Sequence, residues 1–447
     1  MRQQLARETV NLAMHAGASA AEVMVREGAE FSTSVRMGSV EKLFEANFRQ
    51  LGVRVFHGNK TAVSATSDFS SSALRSLIQD ALSMARAAGQ DADAGLPSRE
   101  LYDRNGNSGL ALCFPAAQQL PPDEKISRAR RCEEASLRFD PRINNSEGAS
   151  FSNSVTNITY ANSIGIFDSY SRSLATILAC PLAELHGNKQ RDYWLSTGLD
   201  ASKLQSPEDV GEEAARRTLR RLGARKVATC EAPVLFDPRA AASLLSHVAD
   251  AVCGTALLRK ASFLLDKLGT RVAAPEVTII DDALLPGGLG SRPFDSEGIP
   301  SRATPVIEEG ILRNYLLDSY SARKLGLQPT GNSTRQVSGA PMAGPSNFYL
   351  KPGKVSPEDI IASIKSGLYV TELIGFGVNI VSGNYSQGAA GIWIENGRLA
   401  YPVEEITIAG NLKDMLLSIE AVGNDLQLLS EIFAPSLKIR KMVVSGN

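Results

Sequence analysis

The chain has 447 residues, 43% of them hydrophobic and 21% charged, with a formal net charge of −1. That length exceeds a single compact core and predicts two or three domains of ordinary globular composition. The near-neutral balance offers no bulk attraction to a phosphate backbone, no apolar run is long enough to span a membrane, and the N-terminus lacks an apolar signal core. The expectation is a cytoplasmic protein that contacts neither nucleic acid nor membrane. Cys113, Cys132, Cys180, Cys230 and Cys253 show no CxxC spacing and read as reduced core thiols.

In chain order, apolar periodicity predicts a helix over 3–16, stopped by Gly17, then strands over 21–26, 32–36, 41–48 and 52–57. His57-Gly58-Asn59-Lys60 has the residues of a tight hairpin turn, and Ser70-Ser71-Ser72 caps a second helix running to about residue 88. An Asp/Gly/Pro-rich linker spans about 90–122. A helix over 123–138 follows, then a β-meander over 143–185, rich in Ser, Thr, Asn and Ile. A further helix begins at Pro207-Glu208-Asp209 and carries Arg216, Arg217, Arg220 and Arg221. Glu212 and Glu213 lie one turn earlier, and Leu219 and Leu222 supply a buried stripe, so these arginines read as an exposed helix face.

Near Cys230 the texture changes to β-rich stretches with many Gly turns and little helix. The fold class is α+β. The division is an N-terminal α/β domain (1–120), a middle helix-plus-meander region completing the N-terminal half (121–228), and a β-rich C-terminal domain (229–447). The Gly-dense segments 285–290, 375–377 and 382–391 lack the strand–GxGxxG–helix context of nucleotide loops. They read as turns and close backbone approaches.

The most informative stretch is Ser246-His247-Val248-Ala249-Asp250-Ala251-Val252, inside an apolar helical run that follows Phe236-Asp237-Pro238. A zinc-peptidase helix needs two His to hold the metal and a Glu beside the first to activate water. Here His247 is kept, Val248 stands at the place of the base, and Ala251 and Val252 fill the places open to a second ligand. Valine has no lone pair to give a metal and no proton to exchange. Against this stands the simpler reading of His247 as a helix residue with a local hydrogen bond.

Other constellations carry less chemistry. Asp281, Asp282, Asp295 and Glu297 could form a carboxylate pair or a cation site; Arg302 could meet a peptide C-terminus but is expected to pair with one of these carboxylates. No GxSxG elbow accompanies any serine, and Cys253, among Ala251, Val252 and Ala256, reads as a buried inert thiol.

Six phrases in register resemble the TldD/PmbA family, often labelled modulator of DNA gyrase, and specifically its PmbA (TldE) branch. They are Lys189-Gln190-Arg191-Asp192-Tyr193-Trp194, Arg259-Lys260-Ala261-Ser262-Phe263-Leu264, Phe294-Asp295-Ser296-Glu297-Gly298-Ile299, the run from Leu316 to Leu327, Tyr385-Ser386-Gln387-Gly388-Ala389-Ala390-Gly391, and the run from Thr407 to Met415. The family's catalytic branch carries an HExxxH helix and a Cys in a CGKxGQ-type loop. Carried over by the resemblance, the first His falls on His247, the Glu on Val248 and the second His on Val252. The Cys loop has no counterpart after Val422-Gly423-Asn424-Asp425.

The resemblance implies a subunit without a metal of its own that pairs with a TldD-like, zinc-bearing protein and shapes the chamber in which peptides are cleaved. It further implies a heterodimer or larger assembly, with a homodimer open for the isolated chain. Asp295, Glu297, Arg302, Asn384, Tyr385 and Ser386 are the expected cavity-lining residues. Two other readings stay open: a stand-alone peptidase with an unrecognised site, and a metal-free peptide- or toxin-binding adaptor that modulates gyrase poisoning.

Overall fold

The computed structural model describes residues 2–103 and 109–446, so residues 104–108 of the expected linker lie outside the described residues. The N-terminal half runs α1 (Arg2–His15), β1 (Ala20–Arg36), β2 (Ser39–His57), β3 (Lys60–Thr66), α2 (Ser71–Ala87), α3 (Pro122–Arg138), β4 (Ile143–Asn162), β5 (Phe167–Leu185), β6 (Asn188–Arg191), β7 (Trp194–Gly198) and α4 (Pro207–Leu219). Gly17, at φ +101°, takes the left-handed conformation that ends α1.

The four short strands expected between 21 and 57 are in fact two long ones. β1 and β2 stay in antiparallel register from Ala20↔Phe56 to Arg36↔Ser39, with one irregularity at Ser34/Val35. The alternation that sequence reading relies on lapses at Glu27-Gly28-Ala29-Glu30. The ladder continues there because β1 is flanked on both sides, by β2 and by β4.

The strand order is β3-β2-β1-β4-β5-β6, with β7 also on β5. One face of this sheet is covered twice. α1 and α2 bury Val10, Leu74, Ile78 and Leu82 against Val23, Val25, Leu51 and Val53, while α3 and α4 bury Ala129, Cys132, Val210 and Ala214 against Phe151 and Ile177. The other face meets the C-terminal half.

That half runs β8 (Cys230–Phe236), α5 (Pro238–Val252), α6 (Gly254–Leu258), β9 (Ile279–Asp282), β10 (Ala303–Glu308), β11 (Ile311–Leu312), α7 (Ser319–Leu325), β12 (Ser333–Thr334), β13 (Met342–Ala343), β14 (Phe348–Leu350), α8 (Pro357–Ala362), β15 (Ser366–Ile374), β16 (Asn384–Glu395), β17 (Arg398–Asn411), α9 (Leu412–Leu417), β18 (Ile419–Val422), β19 (Ile432–Phe433) and β20 (Leu437–Ser445). A six-stranded sheet, β17-β16-β15-β8-β20-β18, closes on itself through β17–β20 pairing. A second sheet, β11-β10-β9-β14-β19, lies beside it. The β-rich texture is therefore correct, but α5, with 15 residues, is a central core element that "little helix" undersells.

Three polar seams join the halves. At the first, Glu22 of β1 lies 2.6 Å from Arg335 and 3.4 Å from Arg54, and Tyr160 Oη donates to its other oxygen at 2.7 Å. At the second, α7 holds the chain after α2. Tyr320 Oη donates to Asp91 at 2.7 Å, Lys324 Nζ lies 2.9 Å from both Asp91 and Asp93, and Arg323 Nε donates to the Asp93 carbonyl at 2.8 Å. At the third, Asp192 accepts from Arg239 at 2.9 Å, Arg217 stands 3.5 Å from Asp237, and Arg221 pairs with Glu372.

The third seam corrects the reading of the arginine cluster. Arg216 is exposed, but the Arg217 and Arg221 side chains are only 10% and 13% exposed because they face carboxylates of the C-terminal half. Helical periodicity cannot reveal partners that far along the chain.

Candidate functional site

α5 begins where Asp237 accepts the Ala240 amide at 2.8 Å, with Pro238 in the first turn, where its missing N–H costs nothing. Alanine and leucine sustain it. At its far end Ser262 Oγ donates to the Ala251 carbonyl at 2.6 Å, satisfying one of the orphaned carbonyls. Val248, Ala251 and Val252 are 0% exposed and point into the core shared with Leu244, Val277 and Leu437.

His247 sits on the flank of the helix, half-buried, with its ring edge-on to Tyr385 at 6.2 Å between centroids. Its Nε2 is buried and has no hydrogen-bond partner. Burial lowers its pKa, against the opposing pull of Asp250.

The donor set at this helix does not fit a metal ion. The positions carried over for the base and second ligand are aliphatic and turned into the core. Among the described residues, no group of three or more His, Cys, Asp or Glu side chains is arranged to hold one. Cys253 closes α5 in the core, where burial pushes its thiol far above the usual range, as an inert thiol requires.

Of the carboxylates flagged in sequence, Asp282 is half-buried and accepts the Leu284 amide at 2.8 Å, and the other three are buried and occupied. Asp281 accepts from the Ser346 amide and hydroxyl, each at 2.7 Å, and from Asn332 at 2.6 Å. Asp295 accepts the amides of Glu297 (2.9 Å), Ile299 (3.0 Å) and Ser333 (3.0 Å), stitching its own loop to β12. Glu297 accepts the Ser319 amide at 2.9 Å at the start of α7 and faces Arg54 at 3.9 Å. Burial raises both pKa values, and for Glu297 the neighbouring Asp295 adds to the effect. Arg302 makes its hydrogen bonds to the carbonyls of Thr330 and Pro329 rather than to a carboxylate, and Asp295 acts on it through charge alone.

Tyr385 is buried, whereas Asn384 and Ser386 on either side of it are exposed. The Ser386 amide donates to the Gly377 carbonyl at 2.7 Å. A Cβ on Gly377 would lie 1.8 Å from the Ser386 carbonyl oxygen, so this close approach requires glycine.

Sequence reading missed two features. One is the buried ion cluster of Glu22, Arg54, Glu297 and Arg335. Its signal was available as a charged residue, Glu22, between the apolar Ala21 and Val23. The other is a groove of about 620 Å³ between the N-terminal sheet and α5, lined among others by Arg172, Thr197, Arg239, Ala242, Ser243 and Ser246. The last four repeat at helical spacing on the side of α5 opposite Val248, a stripe of short side chains that begins at Arg239.

Comparison with known proteins agrees with this architecture. Residues 21–85 match the PmbA/TldA metallopeptidase domain 1, residues 115–222 its central domain, and residues 229–446 its C-terminal domain. The chain is 40% identical over 426 residues to the metalloprotease PmbA of Escherichia coli O157:H7, covering 95% of this chain and 92% of that one. A solved structure from Bacteroides thetaiotaomicron that carries the modulator-of-DNA-gyrase name superposes with a TM-score of 0.92 at 28% identity, over 99% of this chain and 98% of that one. TldE from Thermococcus kodakarensis shares the fold along the full length of both chains, at a TM-score of 0.88 and 20% identity. With most of its length matched in order by one set of domains, the chain belongs to the PmbA/TldD metallopeptidase family.

Proposed function

We propose that this chain is the metal-free, PmbA/TldE-like subunit of a cytoplasmic TldD-type zinc peptidase. In this reading it completes the chamber in which a TldD-like partner cleaves peptides, and the zinc belongs to that partner. The observation that carries the proposal is the state of α5. Catalytic zinc needs three protein ligands and an open position for water, whereas Val248 and Val252 are fully buried and, among the described residues, no three His, Cys, Asp or Glu side chains gather to hold a metal. The rest of the scaffold is intact, which suits a subunit kept for its shape rather than its chemistry.

The three-part division at about 120 and 228 belongs to the same proposal, as does a chamber wall that includes Asn384 and Ser386. Asp295, Glu297 and Arg302 then support that wall from behind through the loops they hold. The test is co-expression with an HExxxH-bearing homologue, followed by affinity purification through this chain and a peptidase assay. Co-purification with activity confined to the mixture supports the assignment. Activity of this chain alone sinks it in favour of a stand-alone peptidase.

A further inference from the structure

β2 carries a long edge that the described residues leave open. Among them β3 pairs with β2 only from Leu51 to His57, and no other strand takes that side. Toward the first hairpin, the register with β1 passes from Ser34↔Lys42 to Val35↔Val40, which leaves Glu41 as an extra residue. Between these limits residues 42–50 form a regular, unpaired stretch of nine residues, roughly 30 Å long.

Its backbone is turned outward at alternate positions. The Gly58-Asn59 turn closes on His57↔Lys60, so His57 and every second residue before it direct N–H and C=O away from β1. The Val55 carbonyl follows that pattern in accepting from the Thr61 hydroxyl at 3.1 Å. In the open stretch the outward set is Leu43, Glu45, Asn47 and Arg49. Leu43 is 57% exposed and Phe44 52%, so apolar side chains lie bare on both faces beside these unpaired groups.

The stretch is its own complement. Two copies related by a two-fold axis perpendicular to the sheet run antiparallel, and outward residues then meet outward residues. With Ala46 on the axis the whole stretch pairs. Phe44 then stands opposite Phe48 of the second copy, Glu45 opposite Asn47, Leu43 opposite Arg49 and Lys42 opposite Gln50, with no like charges facing. Moving the axis to Glu45 sets two carboxylates face to face. Moving it to Asn47 runs Leu43 against Leu51, where β3 already holds the edge. Charge and length point to a second copy of this chain, in one register.

We propose that two copies join antiparallel along residues 42–50 of β2, with Ala46 at the two-fold axis, merging their N-terminal sheets into one. The contact needs neither a metal nor a TldD-like partner and so stands apart from the peptidase partnership.

The experiment uses the purified full-length chain at micromolar concentration, read by sedimentation velocity and non-reducing electrophoresis. The parent should sediment at twice the 47.8 kDa of one chain. Asn47→Pro deletes an outward N–H that a lone edge strand does not need, and should be monomeric with unchanged circular dichroism. Ala46→Cys should cross-link across the axis under mild oxidation, beyond any linkage through the parent's own five cysteines. Phe44→Cys should not, since its counterpart lies roughly 14 Å away, about four residues along the strand.

A monomeric parent would overturn the proposal. So would a dimer that survives Asn47→Pro, or one in which Ala46→Cys stays unlinked or Phe44→Cys links as readily. Should Asn47→Pro fail to fold, the two cysteine variants still decide the register.

Discussion

Arg335 Nη1 lies 2.6 Å from Glu22 Oε1, with the two side chains 2% and 0% exposed, and this contact joins β1 of the N-terminal sheet to the loop after β12. A buried charge left alone costs far more than a surface ion pair returns, so the two residues fix how the halves sit together. Glu22→Gln and Arg335→Met should each lower the unfolding free energy by about 3–5 kcal/mol. The double variant should lose less than the sum, since neither leaves the other's charge stranded. Urea denaturation of the three variants measures this, and simple additivity would contradict it.

The same cluster sets a pH dependence. Burial alone would raise the pKa of Glu22, yet Arg335 and Arg54 hold it below the ordinary carboxylate value. Its contribution is therefore present above the unfolded pKa and lost as pH falls through the lower folded one. Glu297 runs the other way. Its folded pKa is raised by burial and by Asp295, so the folded state binds the extra proton, and stability declines as pH rises from the ordinary carboxylate range through neutrality. Glu297→Gln should flatten that decline in unfolding curves between about pH 5 and 8. An unchanged slope would mean that Glu297 is ionised in the folded protein.

His247 has the opposite signature. Burial depresses its folded pKa, so unfolding takes up a proton once the pH drops below the ordinary histidine value. His247→Leu should retain more of its neutral-pH stability at about pH 5 than the parent chain does. Thermal melts at the two pH values decide it, and equal acid sensitivity would place the ring in water.

Placing a carboxylate at position 248 should not create a metal site. Val248 is 0% exposed among aliphatic neighbours, so Val248→Glu buries a carboxylate with no cation at hand and should cost about 3 kcal/mol or more. The expected result is a lower unfolding midpoint with no gain in zinc uptake, followed by denaturation and metal analysis of the same sample.

The strap after α2 makes a kinetic prediction. Asp91 accepts from Tyr320 and meets Lys324, which draws its pKa down to about 2. Asp91→Ala should speed limited proteolysis within 90–103 several-fold while shifting the global midpoint little, because only the local opening becomes easier. A cleavage pattern identical to the parent's would show that Arg323 alone holds the strap.

What could be read from the sequence follows from the range of the interactions. α1, α2, α3 and α4 were legible because local signals such as the Ser70 cap, the Pro207-Glu208-Asp209 start and apolar stripes act within a few residues. The aliphatic character of positions 248 and 252 on α5 was legible because valine's chemistry is the same wherever it stands. The length of β1 and β2 was not, because the ladder through Gly28 depends on β4, more than a hundred residues away. The seams were hidden for the same reason. Three of the six resembling phrases carry such contacts, with Asp192 in one, Glu297 in another, and Tyr320 and Lys324 in a third. Their physical role as joints between halves could be seen only once the chain was folded.

The central claim concerns metal, and metal analysis of the purified, untagged chain tests it most directly. Dialysed against micromolar zinc and freed of excess, the isolated chain should carry far less than one zinc per polypeptide, while its complex with an HExxxH-bearing partner retains the metal. Stoichiometric zinc on the isolated chain, lost on His247→Ala, would contradict the account.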